Sequence, residues 1–167
     1  VWPITINLQG PARGKGAGRA AIGPNGSARV YTDAKTRRYE SQLRFAAQQQ
    51  MGDNPPTAQP VAVHIEVRFA VPTSWSKKKR LLALAGRVAA ATKPDCNNFS
   101  KALDGLNGIV WLDDKQIVLE HIEKRYAEQA GLTIRINTVV PPEPQVVVSV
   151  RQKPAAKKSE LQADFFL

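Results

Sequence analysis

The sequence is poor in the residues that staple small proteins or bind soft metals, with one cysteine and two histidines in 167 residues. A lone Cys96 excludes an internal disulfide and any thiolate-built zinc site, and it fits a reducing, cytoplasmic setting. His64 and His121 lie far apart in the chain without metal-ligand spacing, so a structural part is expected of each. Long apolar runs are missing as well. No stretch approaches the length of a membrane helix, and no secretory core follows Val1, so no membrane association is expected. Acids are the third shortage: 14 Asp and Glu stand against 24 Lys and Arg, a formal charge of +10. That imbalance is silent about fold, but it draws anionic partners, nucleic acid before an anionic membrane.

What is present suffices for one compact domain, residues 1–139, followed by a flexible tail, residues 140–167, that opens on Val140-Pro141-Pro142-Glu143-Pro144. Ile4-Thr5-Ile6-Asn7-Leu8 alternates as a half-buried strand. The glycine-rich segment 10–19 departs from the Walker pattern, since Gly16 stands where Ser or Thr would bind magnesium. It reads as a mobile loop whose Arg13, Lys15 and Arg19 meet a phosphate backbone. A short strand at 28–31 precedes a helix capped by Thr32 or Asp33 and running to about Gln50. Tyr39, Leu43 and Ala46 form its apolar face, and Lys35, Arg37, Arg38 and Arg44 its basic one. Residues 61–71 alternate as a long strand. Ser74 or Ser76 then caps a helix carrying Leu81, Leu82 and Leu84. From 68 to 93 there are seven Lys or Arg residues and no acid. Trp75 beside Lys77, Lys78, Lys79 and Arg80 is either a base-stacking contact or an anchor for the helix, and the two readings stand even. Residues 116–126 and 132–136 are expected as antiparallel neighbours.

The scarce acids are not scattered. Asp95, Asp104, Asp113 and Asp114 fall within the 22 residues 93–114. Between them, residues 98–106 form an amphipathic helix, with Phe99, Ala102, Leu103 and Leu106 on one stripe and Asn97, Lys101 and Asp104 on the other. Carboxylates gathered in a basic chain suit a hard divalent cation, which takes one or two of them and completes its shell with water and phosphate. Lys101 could stabilise charge on a reacting phosphate. Taken singly, Asp95 also serves as a helix cap, Lys101 as a surface lysine, and Asp113-Asp114 as a turn.

The spacing Lys93-Pro94-Asp95-x-Asn97-Asn98-x-x-Lys101, then Asp104-x-Leu106-Asn107-Gly108 and Trp111-x-Asp113-Asp114-x-Gln116-Ile117-Val118, resembles the RusA family of Holliday-junction resolvases. Tyr31-Thr32-x-x-x-Thr36 and Pro72-x-Ser74-Trp75-Ser76-Lys77-Lys78-Lys79 add to the likeness, which spans about residues 4–136. The resemblance implies an α+β fold, a small mixed or antiparallel sheet packed with two to three helices, in a homodimer. It implies an endodeoxyribonuclease that uses magnesium, with manganese as a substitute, to nick two strands of a four-way DNA junction symmetrically. Carried over by motif, Asp95, Asn97, Asp113 and Asp114 take the metal positions and Lys101 the helix lysine. Asn97 departs from the family's Asp and offers a neutral oxygen, so metal affinity and cleavage are expected to fall. An engineered change, a natural degenerate copy, and a working site that draws on Asp113 or Asp104 all remain open. A non-catalytic junction-binding protein is the alternative reading. Phosphate contacts from Arg13, Lys15, Arg19, Arg37, Arg38, Lys93 and the Lys77 to Arg80 run are expected to carry affinity.

The chain ends Gln162-Ala163-Asp164-Phe165-Phe166-Leu167. This resembles the peptide with which bacterial proteins bind the sliding clamp, its two apolar residues seated in a groove. Docking of Phe165 and Phe166 on the protein's own domain is the competing reading.

Overall fold

The computed structural model describes residues 2–16, 18–22 and 25–139. The peptide read for the sliding clamp (Gln162, Asp164, Phe165, Phe166 and Leu167) lies outside them. In chain order the elements are β1 (Ile4–Gln9), β2 (Arg19–Ile22), β3 (Ala28–Tyr31), α1 (Ala34–Met51), β4 (Val61–Ala70), α2 (Lys77–Leu84), α3 (Cys96–Ser100), β5 (Ile117–Ala127) and β6 (Gly131–Thr138). Two 3-10 helices, Lys101–Leu106 and Asp114–Gln116, complete the set. The main sheet is mixed, in the order β1-β6-β4-β5, and β2 and β3 form a separate antiparallel pair. This is the α+β fold expected.

One strand pairing differs from expectation. β6 does not lie beside β5: it runs antiparallel to β1 and β4, and β5 pairs parallel with β4 on the other side. Composition gives the reason. In β4 Val61, Val63, Ile65 and Val67 are all at most 1% exposed, which suits a central strand covered on its core side. β5 carries Glu120, His121, Glu123, Lys124 and Arg125 and takes the edge, where charge discourages further pairing. Gly131 allows the crossing onto β6, because a Cβ there would lie 2.7 Å from Arg68 Nη2 and 3.0 Å from the Leu8 carbonyl.

α1 covers one face of the sheet. Asp33 caps it, accepting from the amides of Lys35 (3.0 Å) and Thr36 (3.1 Å) and from the Thr36 hydroxyl (2.6 Å). Its buried stripe is Thr36, Tyr39, Leu43, Ala47 and Met51, so Ala47 replaces the expected Ala46 at the centre of the contact. Burial pushes the Tyr39 phenol up to about 12. In α2, capped by Ser76, the leucines are not the buried positions. Ala83 is buried, while Leu81 and Leu84 are 69% and 40% exposed.

The opposite face of the sheet is polar, and its acid Glu66 is satisfied by arginines. Glu66, 7% exposed, accepts from Arg68 (3.0 Å) and from Arg125 (3.1 and 2.7 Å), with Arg135 at 3.5 Å. Burial pushes its carboxyl up, but the hydrogen bonds and charges of Arg68 and Arg125 outweigh it and hold the pKa below the usual carboxylate range. On this face, too, the register sets His64 directly opposite His121. Histidines remote in sequence are therefore neighbours in space, which spacing along the chain could not show.

Candidate nuclease site

The acid-rich segment folds as a scaffold with a few side chains left free. The stripe Phe99, Ala102, Leu103 and Leu106 is buried as its spacing requires, each at most 5% exposed. Past Ser100 the helix tightens to 3-10 geometry. Asn97, Lys101 and Asp104 stay exposed. Beyond it, Trp111 is fully buried, and its Nε1–H donates to Asn107 Oδ1 at 2.6 Å. Gln116 clamps the next turn: its Oε1 accepts from the amides of Leu112 (2.9 Å) and Asp113 (3.0 Å), and its Nε2 donates to the carbonyls of Thr57 (2.8 Å) and Gln59 (3.1 Å). Asn107, Trp111 and Gln116 thus hold the backbone that presents Asp113 and Asp114.

The acids sort by what already holds them. Asp113 accepts from the Lys115 amide at 3.0 Å in a capping box with Gln116. That amide, with the Lys115 charge and the neighbouring Asp114 carboxyl, keeps its pKa below the usual range. Asp104 lies 3.4 Å from Lys15 Nζ, which also sits 3.3 Å from Glu40. Burial works against the Lys15 charge, but Glu40 and then Asp104 outweigh it and raise the pKa. Asp95 stands at the N-cap of α3 yet makes no cap hydrogen bond, so its exposed carboxylate is not held by the helix. Asp114 is exposed and lines a cavity of about 360 Å³ with Ser100, Lys101, Leu103, Asp104 and the 117–120 segment.

The backbone before Asp95 and the cavity lined by Asp114 both lie against β5. The Pro94 carbonyl, next to Asp95, accepts from Lys124 Nζ at 3.0 Å, and the Thr92 carbonyl accepts from the same amine. Lys124 shares its strand face with Glu120, which lines the Asp114 cavity. Asp95 and Asn97 do not line that cavity. Among the described residues, the cluster of three potential ligands within 4.8 Å of one another is formed elsewhere, by His64, His121 and Glu123.

Sequence reasoning missed Glu120, and the cause is a bulge. Val61 pairs with Ile117 but Ala62 with Leu119, so the register slips by one and Glu120 falls opposite the core residue Val63. The broken alternation of Ile117, Leu119 and Ile122 was the available signal.

Of the cations expected to meet DNA, Arg37, Arg38, Lys77, Lys78, Arg80 and Lys93 are exposed. Arg13 and Arg38 border a second cavity, of about 310 Å³, together with Lys35. Lys15 is engaged with its two acids, and its amide donates to the Asn98 carbonyl at 2.7 Å, so this part of the loop is pinned rather than mobile. The backbone of Arg19 belongs to β2 rather than to the loop. Trp75 packs edge-on to Tyr126, ring centroids 5.1 Å apart, with Lys79 Nζ 3.8 Å from its ring. Its indole anchors α2 to β5.

Comparison with known proteins identifies the family. A protein of Bacillus subtilis (strain 168) described as "Uncharacterized protein YqaN" is 30% identical over 139 residues, 81% of this chain and 96% of that protein. The model of the family "Endodeoxyribonuclease RusA" matches residues 11–137, from the pinned loop through β6. With most of its length inside that match, the chain belongs to the RusA family of Holliday-junction endodeoxyribonucleases.

Proposed function

We propose that the chain resolves four-way DNA junctions by divalent-metal-dependent hydrolysis, acting as a homodimer that places paired, symmetric nicks. The observation that carries this reading is the convergence of Asp114, Glu120 and Lys101 on one cavity, while Asp95, in the same acid-rich segment as Asp114, keeps an uncapped carboxylate. The donor set fits magnesium, or manganese in its place, because every available ligand atom is a hard oxygen. Bound there, the ion would polarise the scissile phosphate and lower the pKa of an attacking water. Asp95 and Asp114 supply the anionic oxygens, with Asn97 and Glu120 as further donors. Asp113, held in its capping box, orients Asp114, and Asp104 is shared with Lys15. Lys101 faces the same cavity and offsets negative charge as it builds on the phosphate.

β5 provides the track for the backbone. Its 11 residues extend roughly 36 Å, about one turn of duplex. The Asp114 cavity lies toward its start, and α2, with Lys77, Lys78 and Arg80, packs near its end. Two copies related by a two-fold axis match the symmetry of a junction and give one nick per strand. The clamp-like peptide at the end of the chain would deliver the enzyme to replicating DNA.

A synthetic four-way junction incubated with magnesium tests the reading. Asp114→Asn should lower cleavage by roughly 100-fold or more, the several kcal/mol of charge stabilisation a bound ion supplies. Asn97→Asp should raise it. A magnesium-independent rate, indifferent to both substitutions, rejects the site. If the natural chain binds junctions without cutting and Asn97→Asp alone restores cleavage, the alternative reading of a junction-binding protein applies to this form.

A further inference from the structure

On the face of the sheet turned away from the nuclease cavity, we infer a second, chemically different metal site: a zinc-class transition-metal ion held by His64, His121 and Glu123. The donors come from two adjacent strands in a fixed register. His64 on β4 is paired with His121 on β5, and Glu123 follows two residues later on the same side of β5. The two imidazole rings stand 4.9 Å apart between centroids, tilted by 49°. His64 Nε2 lies 3.9 Å from Glu123 Oε2, and one ligand atom from each residue falls within 4.8 Å of the other two.

A second feature gives the trio a direction. His64 Nε2 is buried, and among the described residues no hydrogen-bond partner meets it. At 3.9 Å the Glu123 carboxylate is too far to accept a hydrogen bond from it. A buried polar atom without a partner costs about 1–3 kcal/mol, a cost that a coordinate bond would remove. Tetrahedral coordination with bonds of 2.0–2.1 Å needs donors ~3.4 Å apart, so a modest rotation of the exposed His121 and Glu123 side chains closes the site. Those two also leave it open to solvent for a fourth, water ligand. Neighbouring charge does not forbid a cation: Arg68, Arg125 and Arg135 on this face are turned onto Glu66.

The donors select the metal. Two imidazoles and one carboxylate suit zinc, cobalt, nickel or copper, whereas magnesium prefers oxygen alone. The ion would bridge β4 to the edge strand β5, whose Glu120 faces the opposite way into the nuclease cavity. It would therefore steady the strand that carries that residue. This site does not depend on the junction-cleavage reading, and its test need not measure cleavage.

The full chain, stripped with chelator, is titrated with zinc against a chromophoric indicator, and separately with cobalt while its visible spectrum is recorded. The expected result is about one tight equivalent of zinc, with an intense cobalt band of the low-coordinate, nitrogen-ligated type. Excess magnesium should displace neither ion. His121→Ala and Glu123→Gln alter exposed side chains on an edge strand. Each should weaken zinc binding by about 100-fold and abolish the cobalt band, whereas Asp114→Asn should change nothing. Failure of the natural chain to bind zinc at micromolar concentration overturns the inference. So does binding that survives both histidine-face variants, or that is lost in Asp114→Asn.

Discussion

The two faces of the β4–β5 pair carry charge in opposite ways. On one, Glu66 is buried and three arginines converge on its oxygens. On the other, Asp114 and Glu120 stand exposed around a cavity where Lys101 is the cation in the lining. A buried acid satisfied from all sides holds a sheet together and has nothing left to offer a ligand. Exposed acids without an arginine partner keep their oxygens free for a ligand. In a chain of charge +10 there was no shortage of arginine to pair with them. The difference separates an acid consumed by the fold from acids left free to meet a ligand.

The comparison breaks most visibly at Glu66. Glu66→Ala leaves Arg68, Arg125 and Arg135 without their acceptor and should destabilise the protein by about 3 kcal/mol. Urea unfolding measures this as a lower midpoint, while junction cleavage per folded molecule stays the same. Asp114→Asn should do the reverse, leaving the midpoint in place while cleavage collapses. The pH dependence has a definite sign. Because the folded-state pKa of Glu66 is lowered, its stabilisation is fully present above the ordinary glutamate value of about 4.3. It is lost as pH falls through the lowered folded-state value. The gap in unfolding midpoint between the natural chain and Glu66→Ala should hold at neutral pH and close in acid. A gap that widens in acid would remove Glu66 from its structural part.

Much of the nuclease face was legible in the sequence because it rests on local patterns. The stripe from Phe99 to Leu106, the Asp33 and Ser76 caps and the strands at both ends of the domain all follow from periodicity and capping chemistry. What escaped depends on register between distant segments. The central place of β4, the bulge that turns Glu120 toward Lys101, and the meeting of His64 with His121 are consequences of a parallel pairing. Nothing within β4 or β5 alone encodes that pairing. Lys15 escaped for a related reason, since its acids come from α1 and the 3-10 helix. A basic loop read alone looks like a phosphate contact.

A smaller perturbation sharpens the contrast from the nuclease side. Gly14 passes so close to α3 that an added Cβ would lie 2.5 Å from Asn98 Cβ and 3.1 Å from Pro94 Cβ. Gly14→Ala must therefore lift the loop or displace the segment bearing Asp95 and Lys101, at a cost of about 1–3 kcal/mol. Cleavage should fall by about tenfold or more, because small shifts of reacting groups are felt strongly in rate. Salt-dependent junction binding should change less. Equal losses of binding and cleavage would show that the loop acts on DNA directly.

The smallest effect is expected at Lys124, which ties the nuclease segment to the edge strand. Its ammonium donates to the Thr92 and Pro94 carbonyls and lies 5.7 Å from the Phe69 ring. Lys124→Met keeps the apolar stem and removes only the donors, so stability should fall by about 1 kcal/mol. The backbone before Asp95 would then be held less firmly over β5, and cleavage should drop a few-fold at unchanged junction affinity. Glu123→Gln, one residue away on the other face, should leave the magnesium-supported rate alone. If the two substitutions affect cleavage equally, the faces of β5 are not independent, and the division between a structural side and a chemical side fails at the strand they share.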